Sequence, residues 1–78
     1  EVSANHTASN NQIIICTNTT PIDIAEPDTP ADGDMIIIKR RDALVTFTGQ
    51  TDGAASHPLS TTYHSVTLVY WGSEWSII

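Results

Sequence analysis

The sequence predicts an all-β domain, a small antiparallel β-sandwich or jelly-roll-like fold of about seven short strands. Three observations lead there. Eleven Thr, ten Ile and seven Ser in 78 residues give a β-branched composition suited to a pleated surface. Clusters of Asn, Pro, Gly and Asp cut the chain into pieces too short for helices of ordinary length. Ile22-Asp23-Ile24 shows the two-residue alternation of a half-buried strand. With 40% hydrophobic and 15% charged residues the chain is expected to fold, and its length allows one core and no second lobe.

The elements follow in order. Val2 to Thr7 reads as a first strand, closed by the turn residues Ala8-Ser9-Asn10-Asn11, whose Asn pair tolerates left-handed backbone. Gln12 to Thr17 is the second. After a turn at Asn18-Thr19-Thr20, Pro21 to Ala25 reads as an edge strand, since Pro cannot donate to a ladder. Residues 26 to 34 hold two prolines and four acids and read as an exposed acidic loop. Met35 to Arg41 and Ala43 to Thr48 are strands joined by a tight reversal or bend at Asp42. Gly49 to Thr62 is a long polar loop with the turn dipeptide Asp52-Gly53. Tyr63 to Trp71 is the longest strand, and a hairpin through Gly72-Ser73 leads into the last, Trp75 to Ile78.

Two strands are apolar on both faces. Successive side chains point to opposite sides of a sheet, so if Ile14 and Ile37 face the core, then Ile13, Ile15, Ile36 and Ile38 face something else that is dry. The opposite orientation leaves the same excess. So small a sandwich has no third layer, and a wet Ile-rich face would be a large apolar patch. The expected cover is another copy of the chain. The single cysteine, Cys16, strengthens this, because no intrachain disulfide can compensate for the small core.

Charge excludes some partners. Lys39, Arg40 and Arg41 stand against nine acids for a net charge of −6, so nucleic acid and anionic membrane are not expected partners. No run is long enough to span a membrane, and no signal-peptide pattern opens the chain, so no membrane insertion is expected. A start at Glu1 without Met reads as a mature form or, in preference, an excised fragment of a longer chain.

The ordered set Asp32-Gly33-Asp34-Met35-Ile36-Ile37-Ile38-Lys39-Arg40-Arg41-Asp42, Val45-Thr46-Phe47-Thr48-Gly49, Tyr63-His64-Ser65-Val66-Thr67-Leu68-Val69-Tyr70 and Gly72-Ser73-Glu74-Trp75-Ser76-Ile77-Ile78 resembles the distal head domains of trimeric viral fibres and spikes, bacteriophage tail fibres above all. Ser3 to Ala8 and Gln12 to Cys16 extend the resemblance toward the start. It implies that residues 1 to 78 form one C-terminal head domain, a homotrimer at the virion's fibre tip, extracellular, attaching to a host surface receptor. Trp71 departs from the pattern, which usually has a small or acidic turn residue there. Trp75 occupies the recurrent Gly-Ser-x-Trp position and is expected in the core.

Catalytic chemistry finds little support. Cys16 sits in an Ile run and reads as an inert buried thiol, and nothing local sets a Ser or Cys beside a base that a third group orients. His6, His57 and His64 lack zinc-ligand spacing, and the acidic loop lacks the calcium-loop pattern, so neither metal nor cofactor is expected. Lys39 to Arg41 are expected to make ion pairs with Asp42, Asp34 or Glu26, within one chain or between copies. Asn5-His6-Thr7 and Asn18-Thr19-Thr20 match the glycosylation acceptor pattern, which a Thr-rich chain produces by chance.

The function expected is non-enzymatic: multivalent attachment to a host surface glycan or other envelope receptor. The residues expected to bind it are Trp71, Gln50, Asp52, His57 and Ser60, on loops and the last hairpin. The residues expected between subunits are Ile13, Ile15, Ile36, Ile38 and Arg40. The alternative is a structural module that registers or caps a trimeric fibre without touching a receptor.

Overall fold

In the computed structural model, which describes residues 1–78, every regular element is a strand. They are β1 (His6–Thr7), β2 (Ile13–Cys16), β3 (Ile22–Ala25), β4 (Met35–Arg40), β5 (Val45–Phe47), β6 (His57–Leu59), β7 (Ser65–Trp71) and β8 (Glu74–Ile77). Two four-stranded sheets form, in the orders β1-β3-β5-β6 and β2-β4-β7-β8. They close over one core that includes Ile14, Cys16, Ile22, Ile24, Ile36, Ile38, Val45, Phe47, Leu59, Val66, Leu68 and Trp75.

The sheets are mixed, where the sequence predicts antiparallel ones. β1 runs parallel to β3, β3 to β5, and β2 to β4, while the pairs β4/β7, β5/β6 and β7/β8 are antiparallel. The reason is the winding. From β1 to β5 the chain changes sheet at every connection, and it reverses direction each time it crosses the core. Every second strand therefore lands in the same sheet pointing the same way. Asp42 accordingly lies in a bend, the second of the two expected forms, within a crossing from β4 to β5 of the other sheet.

Two boundaries also differ from expectation. Val2 is a single parallel bridge to Cys16, and the first strand proper shrinks to His6–Thr7. The stretch 49–62 contains β6, a His-Pro-Leu strand paired with β5 through Phe47↔His57 and Val45↔Leu59. Pro58 stands on its free edge, the place where a missing N–H does no harm.

The parity of β4 is the consequential correction. Ile36 and Ile38 are both 0% exposed inside the chain's own core, so neither can meet another subunit. Ile37 is the residue that points outward. Parallel register fixes this: Ile14 of β2 pairs with Ile38 and Ile13 with Ile37, and on the other side Val66 pairs with Ile38 and Thr67 with Ile37. Once Val66 and Leu68 turn inward and Thr67 outward, β4 has no freedom. In β3 the plain alternation holds as predicted, with Ile22 and Ile24 buried and Asp23 exposed.

Trp75 anchors the core as its sequence position predicts. Its ring meets Phe47 edge-on at 5.7 Å between centroids and Tyr70 at 5.0 Å. Gly49 makes room for this cluster, since a Cβ there would stand 2.7 Å from the Phe47 ring.

Asn18 is completely buried. Its Nδ2 donates to the carbonyls of Thr20, Ala43 and Leu44 at 2.8, 3.3 and 3.2 Å, which ties the β2–β3 crossing to the β4–β5 crossing. Buried in this way, Asn18 is closed to glycosylation in the folded chain. Cys16 is likewise 0% exposed, and burial raises its thiol pKa above the ordinary value of 9.0.

Candidate functional site

The two sheets present unlike outer faces. On β2-β4-β7-β8 the outward positions are Ile13 and Ile15, Met35, Ile37 and Lys39, Ser65, Thr67, Val69 and Trp71, and Glu74 and Ser76. Register arranges them in rows. Ile13, Ile37 and Thr67 form one, extended by Ile78, which donates its N–H to the Thr67 carbonyl. Met35, Val69 and Ser76 form the next, and Trp71 with Glu74 the last. Ile13, Trp71 and Ile78 are 68%, 67% and 75% exposed. A shallow depression of about 270 Å³ opens on this face between Gln12, Ile13, Met35 and Ile37.

Only Lys39 and Glu74 bring charge to this face, and both are engaged. Lys39 donates to the Tyr63 carbonyl at 2.6 Å, with its ammonium 5.8 Å from that ring's centroid, and Glu74 accepts from Gly53 N at 2.9 Å.

The opposite sheet, β1-β3-β5-β6, carries Thr7, Asp23, Ala25, Thr46 and Pro58 outward, the positions that pair as Thr7↔Ala25, Asp23↔Thr46 and Thr46↔Pro58. This is a wet face. Asn5 just before β1 and Thr48 just after β5 flank it. Asn5 Oδ1 accepts from Asp23 N at 2.9 Å, and Thr48 N donates to the Ile24 carbonyl at 2.9 Å. Together with His6 they line a depression of about 340 Å³.

The residues expected to bind a receptor divide into two groups. Gln50 and Asp52 lie against β8: the Gln50 carbonyl accepts from Trp75 N, Asp52 N donates to the Trp75 carbonyl, and an Asp52 carboxylate oxygen accepts from Ile77 N at 3.4 Å. Trp71 joins them indirectly, since its partner Glu74 holds Gly53. His57 and Ser60 are elsewhere, one in β6 of the other sheet and one just beyond it. The expected five-residue set is therefore not one surface.

Arg40 also departs from expectation. Its guanidinium donates to the carbonyls of Asp42 and Leu59 at 2.9 and 2.8 Å, so it clamps β4 to β6 across the two sheets of one chain. Carbonyls of its own chain, not the carboxylates expected, are its partners. Ile13 and Ile15 stand outward as the trimer reading requires. Sequence reasoning missed Met35, Ile37, Val69 and Ile78 on the same face. The signal was Thr67, whose outward parity passes through the β4/β7 register to the whole sheet.

No group of three or more His, Cys, Asp and Glu side chains gathers where it could hold a metal ion. In the acidic loop, Asp34 Oδ2 accepts from Ala31 N and Asp32 Oδ1 from Gly72 N, as loop braces. No protein-family model matches the chain, and no curated protein matches it in sequence.

Proposed function

We propose that the domain is the receptor-binding tip of a homotrimeric viral fibre or spike, holding a host surface glycan or other envelope receptor by non-covalent, multivalent contacts. The observation that carries this reading is the contrast between the faces. The same fold places Thr and Asp outward on one sheet and Ile, Met, Val and Trp outward on the other. Solvent is tolerated by the first kind of face. The second exposes Ile13, Trp71 and Ile78 by two thirds or more, a contiguous apolar surface of the kind that marks interaction sites on soluble proteins.

A second copy of the chain is the occupant that charge favours. Each copy carries −6, so copies repel wherever acids are exposed and can approach only through a surface nearly free of charge. The β2-β4-β7-β8 face is that surface. Ile13 and Ile15 keep the interface role that sequence reasoning assigned them, while Ile37, Met35, Val69 and Ile78 take the place of Ile36 and Ile38. Trp71 lies at one end of β7 and Tyr63 just before the other, so aromatic side chains bracket the patch as they do at many interface centres and rims. The polar sheet and the loops remain outside, displayed once per copy, which is the arrangement that avidity exploits. The sequence resemblance to fibre heads supports the same assignment.

The structural alternative, a trimerisation cap with no receptor contact, rests on the same apolar face. Light scattering and a glycan array on the domain separate the readings. A trimer that binds host envelope glycans, and falls apart on Ile37→Asp, is the expected result. A trimer that binds no host surface leaves the cap, and a chain monomeric at high micromolar concentration overturns both.

A further inference from the structure

The polar depression on the β1-β3-β5-β6 sheet has a floor, walls and unsatisfied groups, and none of its residues is among those expected to bind a receptor. Its floor is Ala25. The central strand β3 carries this methyl side chain outward between Thr7, its partner on β1, and Thr48, just beyond β5. Longer neighbours on both sides turn a flat sheet into a hollow. One short side chain, rather than any irregularity of backbone, makes the cavity.

The polar groups around it have capacity to spare. Asn5 spends its Oδ1 on Asp23 N, which fixes the amide plane and leaves both Nδ2 protons without a partner in the chain. The Asp23 carboxylate accepts no hydrogen bond from the chain, although its backbone is held at that same point. Thr7 contributes a free hydroxyl, and Thr48 one that reaches the Ile24 carbonyl only at 3.4 Å. His6 is turned away to Gln12 Oε1 at 3.3 Å. An anchored amide donor and a free carboxylate acceptor thus stand side by side over a small apolar floor.

We infer that this hollow binds a neutral sugar ring through adjacent hydroxyl groups. The carboxylate of Asp23 accepts from the hydroxyls, Asn5 Nδ2 donates to one of them, and a C–H face of the ring rests on Ala25. The volume, about 340 Å³, falls at the lower end of small-ligand sites. Chemistry excludes the rivals. An anionic sugar would face Asp23 with no Lys or Arg in the lining and with His6 turned to Gln12, and a hard cation would find one carboxylate where it needs several oxygens of that kind. With no aromatic in the lining, a single ring is held in the millimolar range, so useful attachment requires several copies. The inference deepens the attachment reading and rests on it for the sugar being part of a host glycan. The hollow itself lies within one chain and does not need the trimer.

The test is an amide ¹H–¹⁵N titration of the domain with methyl glycosides of neutral hexoses and N-acetylhexosamines, with glucuronate as the anionic probe. Saturable shifts confined to Asn5–Thr7, Asp23–Ala25 and Thr48, with at least one neutral glycoside and not with glucuronate, are expected. Ala25→Leu fills the floor and Asp23→Ala removes the acceptor; each should weaken binding at least tenfold while the melting temperature of the exposed-site variant D23A stays unchanged. Shifts located elsewhere, shifts that persist in both variants, or a preference for glucuronate would overturn the proposal. On a glycan array, binding that survives both substitutions removes this hollow and leaves the attachment reading standing. Binding lost in both variants, with the oligomer intact, supports the hollow, and an array blank for the unmodified domain counts against both.

Discussion

Ile37 and Ile38 are neighbours on one strand with opposite fates, and replacing each by Ala isolates what burial contributes. Both substitutions lower strand propensity equally, so that contribution cancels in the difference. Ile38 is 0% exposed and pairs with Ile14 and Val66, both buried. I38A therefore loses the transfer free energy of the deleted carbons and leaves a cavity, a combined loss of about 3 kcal/mol. Ile37 pairs with Ile13 and Thr67 on the outer face, where a lost cross-strand contact costs under about 1 kcal/mol in the isolated chain. A domain of 78 residues has a total stability of roughly 4–12 kcal/mol, so I38A removes a quarter or more of it. With a urea slope near 1 kcal/mol/M, the I38A midpoint should fall by about 2–3 M, and that of I37A by less than about 1 M. Denaturation is measured at two protein concentrations, because in the proposed assembly mass action adds an interface contribution for I37A that grows with concentration and none for I38A beyond its core loss. Equal midpoints for the two variants in dilute solution, or a greater loss for I37A, would refute the assigned parity of β4 and with it the apolar outer face.

Three further outcomes are expected. Asn18→Ala leaves the Thr20, Ala43 and Leu44 carbonyls without their shared donor and should cost about 2–4 kcal/mol by urea denaturation, with Asn18→Asp worse at neutral pH because a carboxylate cannot donate to them. Gly49→Ala puts a Cβ 2.7 Å from the Phe47 ring and 3.1 Å from Glu26 Oε2, so overpacking should lower stability by about 1–3 kcal/mol and broaden the Trp75 environment seen in near-ultraviolet circular dichroism. Cys16 should resist a thiol reagent at pH 8 in the native state and react at once in urea. Because folding raises its pKa, its contribution is fully present below the unfolded thiol's ordinary 9.0 and declines as pH rises beyond that value, which a stability–pH profile of wild type against Cys16→Ala will show.

The fold class and most strand positions were legible because they rest on local chemistry: β-branched runs, Asn and Gly turns, and a proline-rich acidic loop. Orientation was legible where polar and apolar residues alternate, as in Ile22-Asp23-Ile24, and illegible where Ile13-Ile14-Ile15 and Ile36-Ile37-Ile38 erase the two-residue period. Those triplets take their parity from β7, whose Ser65 and Thr67 mark the outer face, but only through a register between segments nearly thirty positions apart. The parallel pairs were hidden for a related reason. They follow from the chain changing sheet at each connection, and no single turn records which sheet comes next. β6 carries too few residues, one of them Pro58, to signal a strand. The polar hollow was missed because its maker is an alanine, a residue that announces nothing until its neighbours on two other strands are known.

How the edges are treated decides what kind of association this chain can support. Strand edges are where β-proteins pair indiscriminately, and three of the four here are blunted. Val2 covers part of β2, with Val2 N donating to the Ile15 carbonyl and Thr17 N to the Val2 carbonyl. Residues 50–52 close the free side of β8 through Trp75, and Pro58 interrupts β6. The fourth edge, β1, is two residues long. Growth by edge-to-edge pairing is thus suppressed on every side. A chain that guards its edges and still exposes Ile13, Met35, Trp71 and Ile78 on one face has a surface suited to side-chain packing rather than ladder extension. The exposed isoleucines are not needed to fold the chain, since the other sheet does without them. On the proposed reading an assembly of finite size accounts for their place in the sequence, which is why the oligomeric state tests that reading more directly than any single side chain does.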